Sequence, residues 1–389
     1  MNWISPNIIN GPVATGSQYF KRKNFEIEIL THLERGEYIL LNSPRRYGKS
    51  SIAKYLAGTQ CGTMLCVFEN IQDIDSENEL YKRIYELIYE KLNKLNRYKK
   101  TFTHFLSKRS IKKIGTDGIE LKENEIDYKT EVEILLQYFS EKDINFVIFL
   151  DELPEVLHNL LQQNQKKKAQ NILKTLRHWR QNQQQIRFVI LGSIGMRYVE
   201  EKITGRHIDN NDYYEVNLTG FDRDEAKRFV LFTTAEASMK LNDDIMEYLF
   251  DKIDFLIPFF IVMMLDKLDD LAKQNNEPEI SREMIDKAFD SIVENNTNFM
   301  DWKRRIFVYF AENEANYIMN ILTHIAHKNA ISMRKAYDIS HRYGLSLDFA
   351  QLLNDLEKDG YIVQKNENYY FNSPFLKAFW KKDQPFYDE

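Results

Sequence analysis

The sequence predicts an α/β core built on a parallel sheet, then a helical region, then a C-terminal winged helix. Three observations support this class. Short apolar segments alternate with helical patterns over residues 1–220, as in open parallel sheets covered on both faces. Strand signals then stop, and the chain ends on three helical patterns and two short strands. Its 389 residues are too many for one ordinary core and fit two or three domains.

Five segments of the predicted α/β core are expected to be strands, because each is short, largely apolar and bounded by turn residues or helical patterns. They are residues 38–41, 64–68, 146–150, 187–191 and 213–218. The third is apolar throughout, which is typical of a central parallel strand buried on both faces. A polar loop follows the first strand, and a helix is predicted to begin after it near Ile52.

The domain limits follow from these changes of pattern. The α/β core takes residues 1–220 and contains residues 102–122 as an insertion, where a turn at residues 115–118 would form a hairpin. Helical patterns at 222–239, 243–252, 257–272 and 281–293 predict a helical lid over residues 221–298. Helical patterns at 315–326, 332–342 and 347–358, with strands at 361–363 and 369–371, predict a winged helix over residues 299–389.

Composition excludes several classes of protein. Hydrophobic residues make up 43% and charged residues 29%, as in ordinary globular domains. The net charge of −5 shows no overall basic excess for nucleic acid or an anionic membrane. Two cysteines, Cys61 and Cys66, form neither a disulfide framework nor a zinc motif, which fits a reducing cytoplasm. The N-terminus lacks the pattern of a signal peptide, and no apolar run approaches the ~20 residues of a membrane span.

The loop after the first strand carries a phosphate-binding pattern. The general motif is G-x-x-x-x-G-K-[ST]; Gly48-Lys49-Ser50 fits it, whereas Ser43 replaces the first glycine. Backbone N–H groups of such a loop and the N-terminus of the next helix bind phosphate. We expect Lys49 to reach the β- and γ-phosphates and Ser50 to ligate Mg²⁺. The expected nucleotide-contacting residues are Ser43, Pro44, Arg45, Arg46, Tyr47, Gly48, Lys49, Ser50 and Ser51.

A second motif ends the third strand with Asp151-Glu152. Ligands of open α/β sheets bind at the carboxyl ends of strands. We therefore expect Asp151 to hold Mg²⁺ through water or Ser50, and Glu152 to orient and polarise the attacking water. Ser193 follows the fourth strand and is a candidate contact of the γ-phosphate or of the attacking water, with a strand-end turn residue as the equal alternative. ATP and Mg²⁺ are the expected cofactors, and slow ATP hydrolysis is the expected activity.

The order of these motifs resembles the archaeal-type ATPase family, which belongs to the STAND branch near AAA+ proteins. The resemblance joins residues 43–51, the Asp151-Glu152 strand, residues 191–196, Gly205-Arg206 and residues 218–226. It extends from about Gly16 to the C-terminus. It implies an AAA+/STAND-like P-loop NTPase with a helical lid and a C-terminal winged helix.

The resemblance also assigns roles to residues outside the two central motifs. It places Phe20 and Arg22 in an N-terminal element against the adenine, and Pro258 in a lid segment that meets the nucleotide. Arg206 would be an arginine finger given in trans by a neighbouring subunit, with Arg197 as the other candidate. No arginine occupies the helix around Pro258, where many AAA+ proteins carry a second sensor.

Three functions fit these observations. The first is a molecular switch, in which ATP or ADP bound between core and lid positions the winged helix and drives self-association or docking of a protein partner. The second is a DNA-handling ATPase similar in layout to replication initiators or transposition regulators. The third is a nucleotide-gated scaffold with little turnover, suggested by the lost first glycine and the missing lid arginine.

Charge in the predicted winged helix does not favour DNA as a partner. Basic and acidic residues cancel from residue 301 onward. The expected recognition helix at 347–358 carries Asp348, Asp355 and Glu357 against one lysine, and phosphates would repel them. Arg334, Lys335 and Arg342 in the preceding segment could still form a basic patch.

Overall fold

The computed structural model describes residues 3–59, 61–108, 126–192, 195–205, 212–295 and 297–387. The strands are β1 (Tyr38–Asn42), β2 (Leu65–Asn70), β3 (Phe146–Asp151), β4 (Ile186–Leu191), β5 (Tyr213–Asn217), β6 (Ile331–Ser332), β7 (Ile362–Lys365) and β8 (Asn368–Phe371). The helices of the first half are α1 (Lys23–Glu34), α2 (Lys49–Gly58), α3 (Glu77–Lys94), α4 (Asn96–Lys108), α5 (Tyr128–Lys142), α6 (Leu153–Gln162), α7 (Lys166–Asn182) and α8 (Met196–Thr204).

The second half is mainly helical. Its helices are α9 (Arg223–Thr234), α10 (Asp243–Ile253), α11 (Pro258–Asn275), α12 (Arg282–Asn295), α13 (Thr297–Tyr309), α14 (Glu312–Lys328), α15 (Met333–Ser340), α16 (Phe349–Lys358) and α17 (Pro374–Asp383). Single 3₁₀ turns lie at Gly16–Gln18 and His341–Tyr343. Among the ranges that the structure describes, no helix has both the length and the apolar character needed to cross a membrane.

The chain divides into two compact units. The α/β unit comprises Lys21–Asn42 and Lys49–Asn217, and the helical unit comprises Met1–Phe20, Ser43–Gly48 and Leu218–Glu389. The phosphate loop, residues 43–48, therefore belongs to the helical unit, although it joins two elements of the α/β unit in sequence.

The α/β unit is built on a parallel sheet with the strand order β2-β3-β4-β1-β5. All five predicted strands are confirmed, with ends within two residues of the prediction. Every residue of β3 and β4 is buried, because helices cover a parallel sheet on both faces. The chain leaves β1 for the far edge strand β2 and returns through β3 and β4, so β4 separates β1 from β3.

The predicted insertion at residues 102–122 begins inside a helix. Residues 102–108 form the last part of α4. Phe102 and Phe105 of this helix pack on Tyr138 of α5 with ring centroids 5.3 and 4.8 Å apart. The first residues of the segment are therefore helical and anchored to the core of the unit. The predicted turn at residues 115–118 lies outside the described residues.

The helical unit begins with an extended arm that lies along the predicted lid. The Trp3 indole N–H donates to Asp269 of α11 at 2.8 Å, and the Asn7 N–H donates to the carbonyl of Thr233 in α9 at 2.7 Å. Phe375 of α17 packs on Phe260 of α11 and Phe289 of α12, with ring centroids 5.2 and 4.5 Å apart. The predicted lid helices and the end of the chain thus share one aromatic core.

The C-terminal segment, which we define as residues 299–387, contains the three predicted helices as α14, α15 and α16. The two predicted strands are β7 and β8, and they pair antiparallel, with Ile362 opposite Phe371. The short strand β6 adds to β8, so the small sheet has the order β6-β8-β7. Trp380 of α17 is fully buried beside Phe371, at a centroid distance of 5.8 Å.

Candidate nucleotide-binding site

Three residues of the two central motifs converge in the α/β unit. Lys49 is the first residue of α2 and is 6% exposed. Ser50 follows it, and its hydroxyl donates a hydrogen bond to the carboxylate of Asp151, the last residue of β3. Asp151 lies in register with Asn70 of β2 and Leu191 of β4, at the carboxyl edge of the sheet. The structure therefore brings Lys49, Ser50 and Asp151 together as the motif spacing predicted.

Burial makes the charged form of the Asp151 carboxylate unfavourable when no cation is bound. Asp151 is 2% exposed, and its pKa is raised from 3.8 to about 6, mainly by desolvation. The nearby Glu152 carboxylate contributes to the rise in pKa, whereas the Ser50 hydroxyl and the Lys49 ammonium oppose it. A carboxylate in this condition gains from a cation, because the cation offsets the cost of desolvating its negative charge.

Mg²⁺ fits this donor set. The ion prefers hard oxygen ligands, keeps several waters and is held in nucleotide sites by one or two protein oxygens plus phosphates. The Ser50 hydroxyl and the Asp151 carboxylate are such oxygens and already lie within hydrogen-bond distance of each other. Within the described ranges, no group of three or more His, Cys, Asp or Glu side chains is arranged to hold a metal. The Ser50 hydroxyl and the Asp151 carboxylate would be the protein ligands of the ion, and water and phosphate would supply the others.

Glu152 occupies a left-handed backbone conformation directly after β3. Its φ is 68°, its N–H donates to the carbonyl of Leu191 at 2.8 Å, and it precedes the first residue of α6. Non-glycine residues rarely adopt this conformation, and where they do the surrounding structure fixes it. Glu152 is half-buried, and its Oε2 lies beside Gly192 at the end of β4.

Gly192 is a site residue that sequence reasoning missed. A Cβ on Gly192 would lie 2.8 Å from Pro154 Cδ and 3.4 Å from Glu152 Oε2. The absence of a side chain at the end of β4 thus permits the start of α6, and with it Glu152, to approach closely. The available signal was the Leu-Gly-Ser sequence at the end of a buried strand. The neighbouring Ser193 lies outside the described residues, so its predicted role stays a prediction.

The phosphate loop uses two left-handed residues, and Ser43 is not one of them. Arg46 has φ 74° and Gly48 has φ 93°. Left-handed backbone at Gly48 costs little because glycine has no Cβ. Ser43 adopts no such conformation, so its side chain is compatible with the backbone where the motif normally has glycine. The departure from the motif is thereby accommodated without strain at that position.

Side chains of the phosphate loop contact the lid helix α11 and the residues before it. The Arg46 guanidinium lies over the Phe259 ring, 4.5 Å from its centroid, and the Tyr47 ring packs edge-on against Phe255 at 5.8 Å. Burial lowers the pKa of Arg46, the charge of Arg45 lowers it further, and Asp301 opposes both. These two loop side chains therefore bind the rest of the helical unit.

The C-terminal segment also contacts the phosphate loop. A Cβ on Gly360 would lie 2.7 Å from Pro44 Cβ and 2.9 Å from Pro44 Cγ, and 3.8 Å from the Trp302 ring. The Tyr47 hydroxyl forms a hydrogen bond with Asn372. Gly360 precedes β7 and has φ 79°. Sequence reasoning missed this contact, because no local pattern links residue 360 to residue 44.

The other residues that the resemblance placed near the nucleotide have partners within their own units. Phe20 packs on three phenylalanine rings of the helical unit, at centroid distances of 5.8, 5.4 and 5.6 Å. Arg22 is 4% exposed, and its guanidinium lies over the Phe25 ring at 4.7 Å. Pro258 is the first residue of α11, where its fixed φ suits a helix start. Their contact with adenine or nucleotide stays a prediction.

Of the two arginine-finger candidates, the structure describes only Arg197. Arg206 lies outside the described residues. Arg197 of α8 forms an ion pair with Glu215 of β5, and the other carboxylate oxygen of Glu215 accepts from the Asn42 amide at 3.3 Å. Asn42 ends β1 immediately before the phosphate loop. Arg197 is thus held at the carboxyl edge of the chain's own sheet.

Comparison with solved structures supports the fold. The chain is similar to the Walker-type ATPase paby2304 of Pyrococcus abyssi, with a TM-score of 0.62 and 16% identity over 95% of this chain and 98% of that one. It is also similar to the ORC2 protein of Aeropyrum pernix, solved in ADPNP–ADP complexes, with a TM-score of 0.53 and 12% identity over 93% and 92% of the chains. No family model matches the sequence, and no curated protein matches it.

Proposed function

We propose that this chain, which has the fold of a P-loop NTPase, binds and hydrolyses ATP and couples its nucleotide state to the C-terminal segment. The observation that carries the proposal is the pair of contacts made by the phosphate loop. The loop leads directly into Lys49 and Ser50, and its own Pro44 and Tyr47 touch Gly360 and Asn372. A loop that changes conformation on binding phosphate must change these contacts as well.

The residues present suit phosphoryl transfer to water. Lys49 at the N-terminus of α2 would bind the β- and γ-phosphates, where the helix dipole adds favourable charge. Glu152 would accept a proton from the water that attacks the γ-phosphate, and ADP and inorganic phosphate would leave. Mg²⁺ held by Ser50 and Asp151 would neutralise negative charge on the phosphates. The protein's part is to position these groups, which is the main requirement of this reaction.

Coupling would act through side chains that phosphate binding has to move or fix. Arg46 is a positively charged residue of the phosphate loop. Its guanidinium lies over the Phe259 ring, and its Nη1 donates to the Gly11 carbonyl at 3.5 Å. Nucleotide would alter this loop and thereby the C-terminal segment. The predicted lid (221–298) and winged helix (299–389) would be the parts that respond. The outcome would be self-association, with Arg206 of the core acting in trans, or binding of a protein partner.

DNA handling through the predicted recognition helix has little support in the charges. Arg334 of the preceding helix is paired with Asp338 at 3.3 Å. Asp355 of α16 is 8% exposed and accepts from the Gln351 amide at 2.9 Å. Positive charge on this face is therefore partly neutralised, and negative charge is fixed in the helix that would enter the groove.

The test separates binding from hydrolysis. Lys49→Ala is expected to abolish ATP binding, measured with a fluorescent ATP analogue, and Glu152→Gln is expected to bind ATP with phosphate release reduced by about 10²-fold or more. Glu141→Gln, an exposed carboxylate of the same unit, is the matched control. Normal turnover by Glu152→Gln would overturn the hydrolysis mechanism. ATP binding without measurable release by the wild type would favour a nucleotide-gated scaffold.

Self-association has its own readout. Light-scattering mass with ATP and Mg²⁺ is expected to show a larger defined species for Glu152→Gln, which would hold ATP without releasing it. Arg206→Ala is expected to weaken that species, because the proposal places Arg206 across the contact between subunits. A monomer under every condition would remove the trans finger and leave a partner protein as the target of the switch.

A further inference from the structure

One stretch of this acidic protein carries positive charge that no acidic residue interrupts. From Lys91 to Thr116 the sequence contains nine Lys and Arg residues and no Asp or Glu. The whole chain has a net charge of −5, so removing these nine positive charges leaves −14 for the rest. Charge blocks of this kind are typical of surfaces that bind polyanions. The whole-chain charge conceals the block because the remaining residues are so acidic.

The structure presents part of this block as one face of a helix. Asn96, Lys99, Lys100, Thr103 and His104 of α4 line an open depression on the surface. Their spacing of three and four residues places them on the same side of an α-helix. We call these five residues the α4 basic face.

The α4 basic face is held in place from behind. Phe102 and Phe105 are 0% and 8% exposed and pack on Tyr138. The Thr101 hydroxyl lies 3.0 Å from the Tyr138 hydroxyl. The aromatic side of the helix is thus buried in the α/β unit, and its orientation leaves the lysines exposed. A rigid element presents charge with less loss of side-chain and backbone freedom on binding than a free segment would.

The lysines of this face differ in their pairing from Lys82 and Lys94 of the preceding helix α3, which pair with Glu86 and Glu90. There, Lys94 is paired with Glu90 at 2.8 Å, as expected of an ordinary solvated helix surface. Within the part of the chain that the structure describes, neither Lys99 nor Lys100 forms an ion pair. Two adjacent ammonium groups in this condition repel each other modestly and gain from an anionic partner.

We propose that the α4 basic face is a docking surface for nucleic acid, which it binds through the sugar–phosphate backbone. Lysine, asparagine and threonine side chains are among the usual donors to phosphate oxygens. None of the five residues of the face is apolar, whereas protein interfaces have an apolar centre. Helices that lie on membranes expose Trp, Phe or Leu to the acyl boundary, whereas the phenylalanines of α4 face inward. The sugar–phosphate backbone of a nucleic acid is the partner that matches two exposed lysines flanked by polar donors.

This proposal does not rest on ATP hydrolysis and differs from DNA binding by the predicted winged helix. It places the contact on the α/β unit, on an element between β2 and β3. The contact would be independent of base sequence, because the phosphates that it binds are the same at every nucleotide. Its affinity should therefore fall steeply with salt.

The test is fluorescence anisotropy with labelled oligonucleotides, as duplex DNA, single-stranded DNA and RNA, from about 50 to 300 mM salt. Lys99→Glu with Lys100→Glu is expected to weaken binding at least tenfold at about 100 mM salt and to reduce the slope of log K against log salt by about 2. Arg334→Glu with Lys335→Glu changes the formal charge equally at the other candidate patch and is the matched control, expected to alter affinity less than twofold. Thermal melting confirms that both double variants are folded.

The outcomes separate the possible partners. The oligonucleotide that binds most tightly, among duplex DNA, single-stranded DNA and RNA, identifies the form of nucleic acid that the α4 basic face prefers. Loss of binding in the Arg334 and Lys335 variant alone, or equal loss in both variants, would overturn the assignment to α4. Absence of binding to all three nucleic acids would also overturn it, as would binding, in their place, of vesicles made from equal parts of phosphatidylserine and phosphatidylcholine.

Discussion

Replacing Asp151 by asparagine should stabilise the protein at high pH when no cation is present. The carboxyl has its pKa raised to about 6 in the folded chain, mainly by desolvation, from an ordinary value of 3.8. A folded-state pKa above the unfolded one favours the protonated form, so the associated stability is present below about pH 4 and lost as pH rises through about 6. A shift of about 2 units corresponds to about 3 kcal/mol at pH 8. The asparagine side chain does not titrate and would avoid this cost.

Calorimetric melting at pH 4 and pH 8, in a chelator and without nucleotide, measures the effect. For a unit of this size, about 3 kcal/mol raises the melting temperature of Asp151→Asn by about 6–12 °C at pH 8, with little difference from wild type at pH 4. Mg²⁺ and ATP should then stabilise the wild type and not the variant. Asp75→Asn, an exposed carboxylate of the same unit, should show neither change. A variant no more stable than wild type at pH 8 would refute the reasoning about desolvation.

Three further predictions concern Gly360, Gly192 and Asp151. Gly360→Ala should destabilise the chain by about 1–3 kcal/mol more than Gly344→Ala in thermal melting, because both have positive φ but only Gly360 abuts Pro44; equal effects would contradict the contact. Gly192→Ala should slow phosphate release about 10- to 100-fold by displacing Pro154 and Glu152, with ATP affinity kept within about twofold; Gly58→Ala meets no neighbour and serves as control. Mg²⁺-dependent ATP binding, followed by calorimetry, should weaken as pH falls below about 6, as Asp151 protonates; pH-independent binding would exclude Asp151 as a ligand.

Much of the α/β unit followed from local sequence. Apolar runs such as residues 146–150 predict strands because a parallel strand buried on both faces must be apolar throughout. The sequence also predicts that the Lys49-Ser50 motif and Asp151 lie close together. Both come at the carboxyl ends of strands, and the carboxyl ends of parallel strands share one edge of the sheet. The structure places these three residues together.

The contacts that distinguish this chain could not be predicted in the same way. Gly360 lies against Pro44, although the two residues stand near opposite ends of the sequence, and neither carries a local pattern for the other. The left-handed conformation of Arg46 is equally invisible, because arginine gives no signal for positive φ. The pairing of Arg197 with Glu215 depends on β5 lying beside β1. Sheet order is a property of the whole unit and not of any one segment.

The central claim is that ATP bound near Lys49 alters the contact between the phosphate loop and the C-terminal segment. Hydrogen exchange of the backbone amides at Gly360, Tyr361 and Ile362, with and without ATP and Mg²⁺, tests it most directly. We expect saturating ATP to change their protection at least threefold in the wild type and not in Lys49→Ala. If the wild type binds ATP while the exchange of these amides stays the same, the phosphate loop does not transmit the nucleotide state, and the switch account is contradicted.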